Sequence, residues 1–340
     1  TSWLGTYLSW IYMEQSPDFQ EQLLLSKIPA LKPVVSVVVA TRNRSELLSK
    51  TVASILANSL ENFELLIVDQ STDELSRESL QQFSQDRRLR YIHSDRAGLS
   101  RSRNLGIGLA QAPLIAITDD DCVVPPEWLS ELIHICNRYP SVGLVFGQVL
   151  AITHDTTQGF VPDHVLKEEF WGRRPLDKIK IRGIGACMAV RKEAWRQIGG
   201  FDVLLGAGSL LRSCEDGDIA LRMLLAGWQV LVTPAFSVSH AGFRTYREGR
   251  LLTKRDWYGI AAAYTKYIRG RNLSGIVILL YEFFGVAVFQ FLIHVFLWRR
   301  PFGLLRITSF VQGFFASLKL PVDRRYYTYK TSEQIEQAAK

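Results

Sequence analysis

Four short runs rich in aliphatic and β-branched residues, at 34–39, 63–68, 89–93 and 114–118, are separated by stretches that read as helices. Ser45 is placed to cap a helix through Leu56, a polar helix is expected over 73–84, and another over 100–110. Strands alternating with helices in this way commit a chain to a mostly parallel sheet with right-handed crossovers and helices on its faces. Polar residues that follow such strands gather along one edge, where open α/β sheets bind ligands. The run 114–118 is followed by Asp119, Asp120 and Asp121. Three adjacent carboxylates repel one another, and they ionise together when a cation sits among them. Hard oxygen ligands suit Mg²⁺ or Mn²⁺, ions that carry substrate phosphates. The alternative is a solvated acidic loop or a set of helix caps.

After the aspartates, 125–139 reads as a helix, 142–149 as a strand and 153–180 as a polar, mobile loop. A small-residue strand is expected over 183–190, a helix over 215–226 ended by Gly227, and two short strands at 228–233 and 236–240. The character then changes. Residues 273–298 carry one formal charge, Glu282, and are long enough to span a bilayer core; 302–320 is a second apolar stretch. The net charge is +7, yet residues 241–340 carry 16 Lys+Arg against 6 Asp+Glu, a net +10. A basic, apolar tail fits a membrane surface, and no helix-turn-helix, zinc-finger or RNP pattern points to nucleic acid. Basic residues flank both ends of 273–298, so loop charge does not orient it. An amphipathic helix packed on the preceding domain is the other reading of each stretch. Three regions are therefore expected: an arm and linker at 1–33, a catalytic domain at 34–242, and a basic, hydrophobic, membrane-associated helical region at 243–340. In the arm, Trp3, Leu4, Tyr7, Leu8, Trp10 and Ile11 form either an interfacial helix face or a packing arm.

Cys122, Cys136, Cys187 and Cys214 lack metal-site spacing and read as reduced thiols of a cytosolic domain. No cleavable signal peptide is read at Thr1.

Five segments, taken together, resemble the family 2 glycosyltransferases of GT-A fold. They are Val37-Val38-Val39-Ala40-Thr41-Arg42-Asn43-Arg44; Ile67-Val68-Asp69-Gln70-Ser71-Thr72-Asp73; Gly98 to Gly106, with Arg101, Arg103 and Asn104; Thr118-Asp119-Asp120-Asp121, similar to the D-x-D metal signature; and Cys214-Glu215-Asp216-Gly217-Asp218 ahead of Arg222, similar to E-D-x-D-x-x-x-R. The resemblance covers about 34–242. It implies a Rossmann-like sheet and a metal-dependent, inverting transferase. Such an enzyme moves a sugar from a nucleoside diphosphate donor, a UDP-sugar first among them, to a hydroxyl of a lipid-linked or saccharide acceptor in polysaccharide or glycolipid assembly. The Q-x-x-R-W motif of processive synthases is absent, which favours single-sugar transfer. A sugar-nucleotide pyrophosphorylase would need a glycine-rich loop that 40–44 lacks, and an inactive scaffold would be expected to lose its acids.

The resemblance places donor contacts at Thr41, Arg42, Asp69, Arg103, Asp119 and Asp120, metal ligation at Asp121 with His240, the base at Asp216 and acceptor binding at Glu215. Residue chemistry leaves alternatives beside these. Asp69 either meets a nucleobase edge or caps the next turn, and Gln70 stands where the family commonly has an acid. Arg101 and Arg103 either balance phosphate or pin the acids, unless they form a solvated helix face. Asp119 meets the ribose or holds Arg103. Glu215 and Asp216 open a helix whose dipole keeps a carboxylate ionised, so they serve either as base and acceptor ligand or as caps. His240 is a metal ligand or a structural residue. Nucleotide sugars and unpaired cysteines place the catalytic domain on the cytoplasmic side of a membrane.

Overall fold

The computed structural model describes residues 32–297 and 303–339. The arm residues Trp3 to Ile11, and residues 298–302 where the first apolar stretch meets the second, lie outside the described residues. Strand β1 (Val35–Thr41) lies between β2 (Phe63–Asp69) and β4 (Leu114–Asp119), parallel to both, and β2 pairs in parallel with β3 (Leu89–His93). Near-continuous apolar strands of this kind are buried on both faces. Val35, Val37 and Val39 face one core with helices α1 (Ser45–Leu56) and α4 (Trp128–Arg138). Val38 and Leu66 face the other, beneath α3 (Leu99–Leu109). The polar 73–84 stretch splits into a short α2 (Leu75–Ser79) and a 3₁₀ turn. Register carries the polar ends to one edge: Thr41 lies beside Asp69, and Ala40 beside Asp119.

Beyond β4 the sheet is mixed. β5 (Cys122–Val123) and β6 (Val142–Ala151) precede a segment containing the short strands β7 (Gly159–Phe160) and β8 (Phe170–Gly172). The 153–180 stretch is thus partly ordered into strands, with β8 paired to the sheet through β10. β9 (Cys187–Arg191) runs antiparallel between β4 and β6. It is shorter than the 183–190 reading. A Cβ at Gly183 would meet the Phe146 ring at 2.3 Å and one at Gly185 would meet Arg103 at 2.7 Å, so this segment approaches its neighbours as a loop. The two expected C-terminal strands are one, β10 (Gln229–His240), parallel to β6 with a register shift between Val232 and Ser237 at Pro234. Its last residue pairs with β5, His240 opposite Cys122.

Helices α5 (Lys192–Gln197) and α6 (Glu215–Leu225) follow β9. After β10 come β11 (Arg244–Thr245) and α7 (Tyr246–Arg269), which opens with a Thr245–Glu248 capping box. Apolar helix α8 runs from Leu273 to Phe296 through a π-helical stretch at Tyr281–Val288, and α9 covers Gly303–Leu318. α7, α8 and α9 share a core with Leu221 of α6 through Trp257, Tyr264, Ile278 and Phe310. A Cβ at Gly313 would sit 2.2 Å from the Tyr258 carbonyl oxygen, which is how closely α9 approaches α7. Hairpin β12 (Val322–Asp323) and β13 (Thr328–Tyr329) and the terminal α10 (Ser332–Ala339) complete the described chain. Among the described residues, α8 is the one helix long and apolar enough to cross a membrane, with 22 % of its most apolar 18-residue window buried.

Candidate active site

The carboxyl ends of β1 and β4, the start of α6 and the end of β10 surround an open cleft of about 690 Å³. Asp120 accepts from Thr41 Oγ1 at 2.8 Å and from Arg44 at 3.0 Å; Asp121 accepts from the same Arg44 nitrogen at 2.8 Å. The acids therefore have a cation within the chain, Arg44, which sequence reasoning missed. The signal was the unbalanced acid cluster itself. Burial pushes the Asp120 carboxyl up to about 6, against the pull of Arg44 and Thr41. Arg42 is exposed at the cleft wall.

His240 Nε2 lies 3.2 Å from Asp121 Oδ1. Its other nitrogen is 2.8 Å from the Pro162 carbonyl, which can only accept, so Nδ1 carries the proton and Nε2 is the atom presented to Asp121. Burial works against a charged imidazole, but the hydrogen bond and charge of Asp121 outweigh it and raise the His240 pKa. Burial likewise pushes Asp121 up, and His240 with Arg44 more than reverses this. Cys122 lies close enough to complete a three-residue donor cluster with Asp121 and His240. Burial raises its thiol well above the ordinary range, so it stays protonated. A Cβ at Gly242 would fall 2.6 Å from both Asp121 Oδ2 and His240 Nε2, so glycine keeps the space at these donors open.

Arg103 is no solvated face residue: it is 1 % exposed, bonded to Asp119 at 3.0 Å and to Glu215 at 2.9 Å. It ties the end of β4 to the start of α6. Arg101, on the same helix, is half-buried and makes no ion pair among the described residues. Asn104 clasps the 199–201 turn, accepting from the Phe201 N–H and donating to its carbonyl, both at 2.8 Å. Asp69 is fully buried, with one oxygen accepting from Ser71 N and the other from Tyr91 OH, both at 2.8 Å. It stands beneath the cleft and does not line it. Gln70 does line it, pairing through its amide with both the N–H and the carbonyl of Gly98 at 3.2 Å. A carboxylate could not donate to that carbonyl, which accounts for an amide here.

Cys214 precedes α6 with φ +70°, and the helix opens with Glu215, Asp216 and Asp218. Glu215 is 8 % exposed; burial and the like charge of Asp216 push it up to about 7 despite Arg103. Asp216 is half-buried at the cleft, accepting from its neighbour Gly217 N–H at 2.6 Å and from Gly185 N–H at 3.3 Å. Burial raises it as well, against those bonds and the charges of Arg103 and Lys178. Asp218 turns away into the interior, paired with Arg222 at 2.8 Å.

The model of the glycosyl transferase family 2 matches residues 36–199, which hold β1 to β9 and the Asp119–Asp121 strand end. Residues 36–199 are a glycosyltransferase family 2 domain. Among relatives of the chain, the uncharacterized protein y4gI of Sinorhizobium fredii is 27 % identical over 228 residues, spanning 61 % of this chain and 24 % of that one. The glucosyl-dolichyl phosphate glucuronosyltransferase of Haloferax volcanii is 28 % identical over 239 residues, spanning 66 % and 72 %. Among solved structures, the mannosyltransferase PcManGT of Pyrobaculum calidifontis, in complex with GDP-Man and Mn²⁺, superposes with a TM-score of 0.55 at 17 % identity, covering 94 % of this chain and 85 % of that one. That likeness is one of fold, and it extends past the family 2 domain into the C-terminal helices.

Proposed function

We propose that the chain transfers a single sugar, with inversion, from a nucleoside diphosphate sugar to a hydroxyl of a lipid-linked saccharide at the cytoplasmic face of a membrane, with Mg²⁺ or Mn²⁺. The observation that carries this reading is one cleft holding the Asp121–His240 pair and the Asp216 carboxylate at the start of α6. Asp121 and His240 Nε2 suit a divalent ion, and Gly242 leaves room at both; the protonated thiol of Cys122 is a poor partner for a hard cation. When bound, the ion neutralises the departing nucleoside diphosphate. Thr41, Arg42 and Asp120 face the donor side, and Arg103 holds Asp119 and Glu215 in place behind it. Asp69 supports the base-binding edge through its turn.

Asp216 is the base. The N–H groups of Gly217 and Gly185 orient its carboxylate, and it takes the proton of an acceptor hydroxyl as the sugar–oxygen bond breaks on the far side. Glu215, held by Arg103, binds that acceptor. Two features support the membrane and the lipid-linked acceptor: the exposed apolar side of α8, and a relative named for glucosyl-dolichyl phosphate. All four cysteines are free, in keeping with a reducing compartment. Calorimetry with a panel of nucleotide sugars, UDP-sugars first, with Mn²⁺ and then with a chelator, followed by NMR of the product anomer, tests this. Donor binding that ignores metal, or a product of retained configuration, overturns it.

A further inference from the structure

Lys178 lies in the 3₁₀ turn Pro175–Ile179, lines the catalytic cleft and is 4 % exposed. Its ammonium donates once, to the Ile181 carbonyl at 3.2 Å, and stands 5.8 Å from the centre of the Tyr264 ring. An ammonium has three N–H donors, so two have no partner among the described residues. Asp216 and Glu282 act on it by charge across the cleft, yet no carboxylate among the described residues comes within 4.0 Å. A buried cation left so poorly paired is costly unless something supplies an anion. Four residues on, the half-exposed Arg182 spends one nitrogen on Glu282 at 2.7 Å and keeps the rest of its fork. Glu282 belongs to α8, and its neighbours Tyr281 and Phe284 are 37 % and 59 % exposed. The apolar side of α8 thus begins at the rim of the cleft that holds Asp216.

We propose that Lys178 and Arg182 bind the phosphate of the acceptor, a sugar joined through phosphate to a lipid. Its hydroxyl lies at Asp216, its phosphate between the two cations, and its chain leaves over Tyr281 and Phe284 to the membrane. This rests on the reading of the chain as a transferase to a lipid-linked saccharide, and it adds which group of the acceptor is recognised and where. A planar guanidinium and a compact ammonium together match the oxygens of a phosphodiester.

The test is binding of farnesyl-phosphate glucose and of the uncharged farnesyl glucoside to the full chain in neutral detergent, with UDP and GDP plus Mn²⁺ measured in parallel. Wild type prefers the phosphate probe, and Lys178→Met and Arg182→Gln each cut that preference by about tenfold or more, since bonds to charged groups carry that much. Arg182→Lys keeps part of it. Glucoside and nucleotide binding stay as in wild type. A preference that survives both substitutions overturns the proposal. So does a loss of nucleotide affinity in Lys178→Met, which would assign Lys178 to the donor. Competition by inorganic phosphate or phosphatidylglycerol as effective as the probe itself also overturns it, because the site would then serve any anion or headgroup. Arg182→Gln, at a half-exposed position, carries the test if Lys178→Met fails to fold. Should wild type bind no nucleotide, the transferase reading fails separately from the phosphate measurement.

Discussion

The Lys266 ammonium lies 2.7 Å from Asp218 Oδ1, and neither side chain is exposed. A second carboxylate, Asp202, holds the same ammonium at 2.8 Å, and Asp218 also takes Arg222. Lys266 belongs to α7, and Asp218 sits three residues after Glu215 on α6, the helix that opens at the cleft. The C-terminal region is therefore fastened to α6 by a buried charge network. Lys266→Met would leave buried Asp202 without a counter-charge and Asp218 with Arg222 alone. Removing one partner of such a pair costs roughly 3–5 kcal/mol. Urea unfolding should show a drop of that order, and a midpoint equal to wild type would show that the network contributes nothing.

Asp216→Asn keeps size and shape but cannot take a proton. It should lower kcat by about 10²-fold or more with little change in donor affinity. Glu215→Gln should raise the acceptor KM more than it lowers kcat, because Glu215 lines the cleft as an acceptor ligand held in place by Arg103. A dead Glu215→Gln beside a near-normal Asp216→Asn would reverse the two roles. If neither substitution matters, the pair is a helix cap.

The metal reading gives a binding prediction. Asp121→Asn should abolish calorimetric Mn²⁺ binding in the presence of nucleotide while the protein still unfolds cooperatively, since Asn keeps the size and shape of the side chain it replaces. Undiminished Mn²⁺ binding in this variant would remove Asp121 from the ligand set.

What was legible in the sequence follows from how local its causes are. The β1–β4 half was legible because near-continuous apolar strands end in Thr41, Asp69 and Asp119, and in-register parallel pairing leaves those ends no other edge. β9 was legible as a strand but not in its direction, because a short strand of small residues says nothing about the way it runs. Gln70 looked like a weakened acid until the backbone of Gly98 supplied it with both a donor and an acceptor. Lys178 and Lys266 were hidden for one reason: each lies in a polar or basic stretch, where a lysine reads as solvated. Arg44 pairs with acids 76 and 77 residues away, a distance that no local pattern reports.

The two carboxylates at the start of α6 set a pH dependence. Burial raises both, Glu215 up to about 7. The base must be ionised, so kcat/KM should rise with pH along an acidic limb well above the ordinary carboxylate range. The stability term has the opposite slope. The folded pKa of Glu215 exceeds its unfolded value, so its contribution is fully present below about pH 4.5 and is lost as pH rises through about 7. Glu215→Gln removes that titration, and its urea midpoint should fall less than that of wild type across this window. Identical pH slopes for the two proteins would mean that Glu215 titrates normally.

The last prediction concerns how α8 meets a membrane. Glu282, its one formal charge, is 2 % exposed and bonded to Arg182 of the catalytic cleft, so this part of α8 rests on the domain. Its free side carries Phe289, Leu292 and Phe296, exposed by 57 %, 55 % and 83 %. Spacings of three and four residues put these on one face. A helix held by the domain on one side and apolar on the other suits an in-plane seat at the interface more than a crossing. Burying each such side chain contributes roughly 1.5–3 kcal/mol. The triple variant Phe289→Glu, Leu292→Glu, Phe296→Glu should therefore move from the membrane pellet to the supernatant with its thermal unfolding temperature close to that of wild type, because more than half of each side chain is exposed. Wild type should resist high salt, since salt screens charges and leaves apolar burial in place. If the triple variant still pellets, the seat lies elsewhere. If high salt alone releases the wild type, the basic residues hold it and α8 does not.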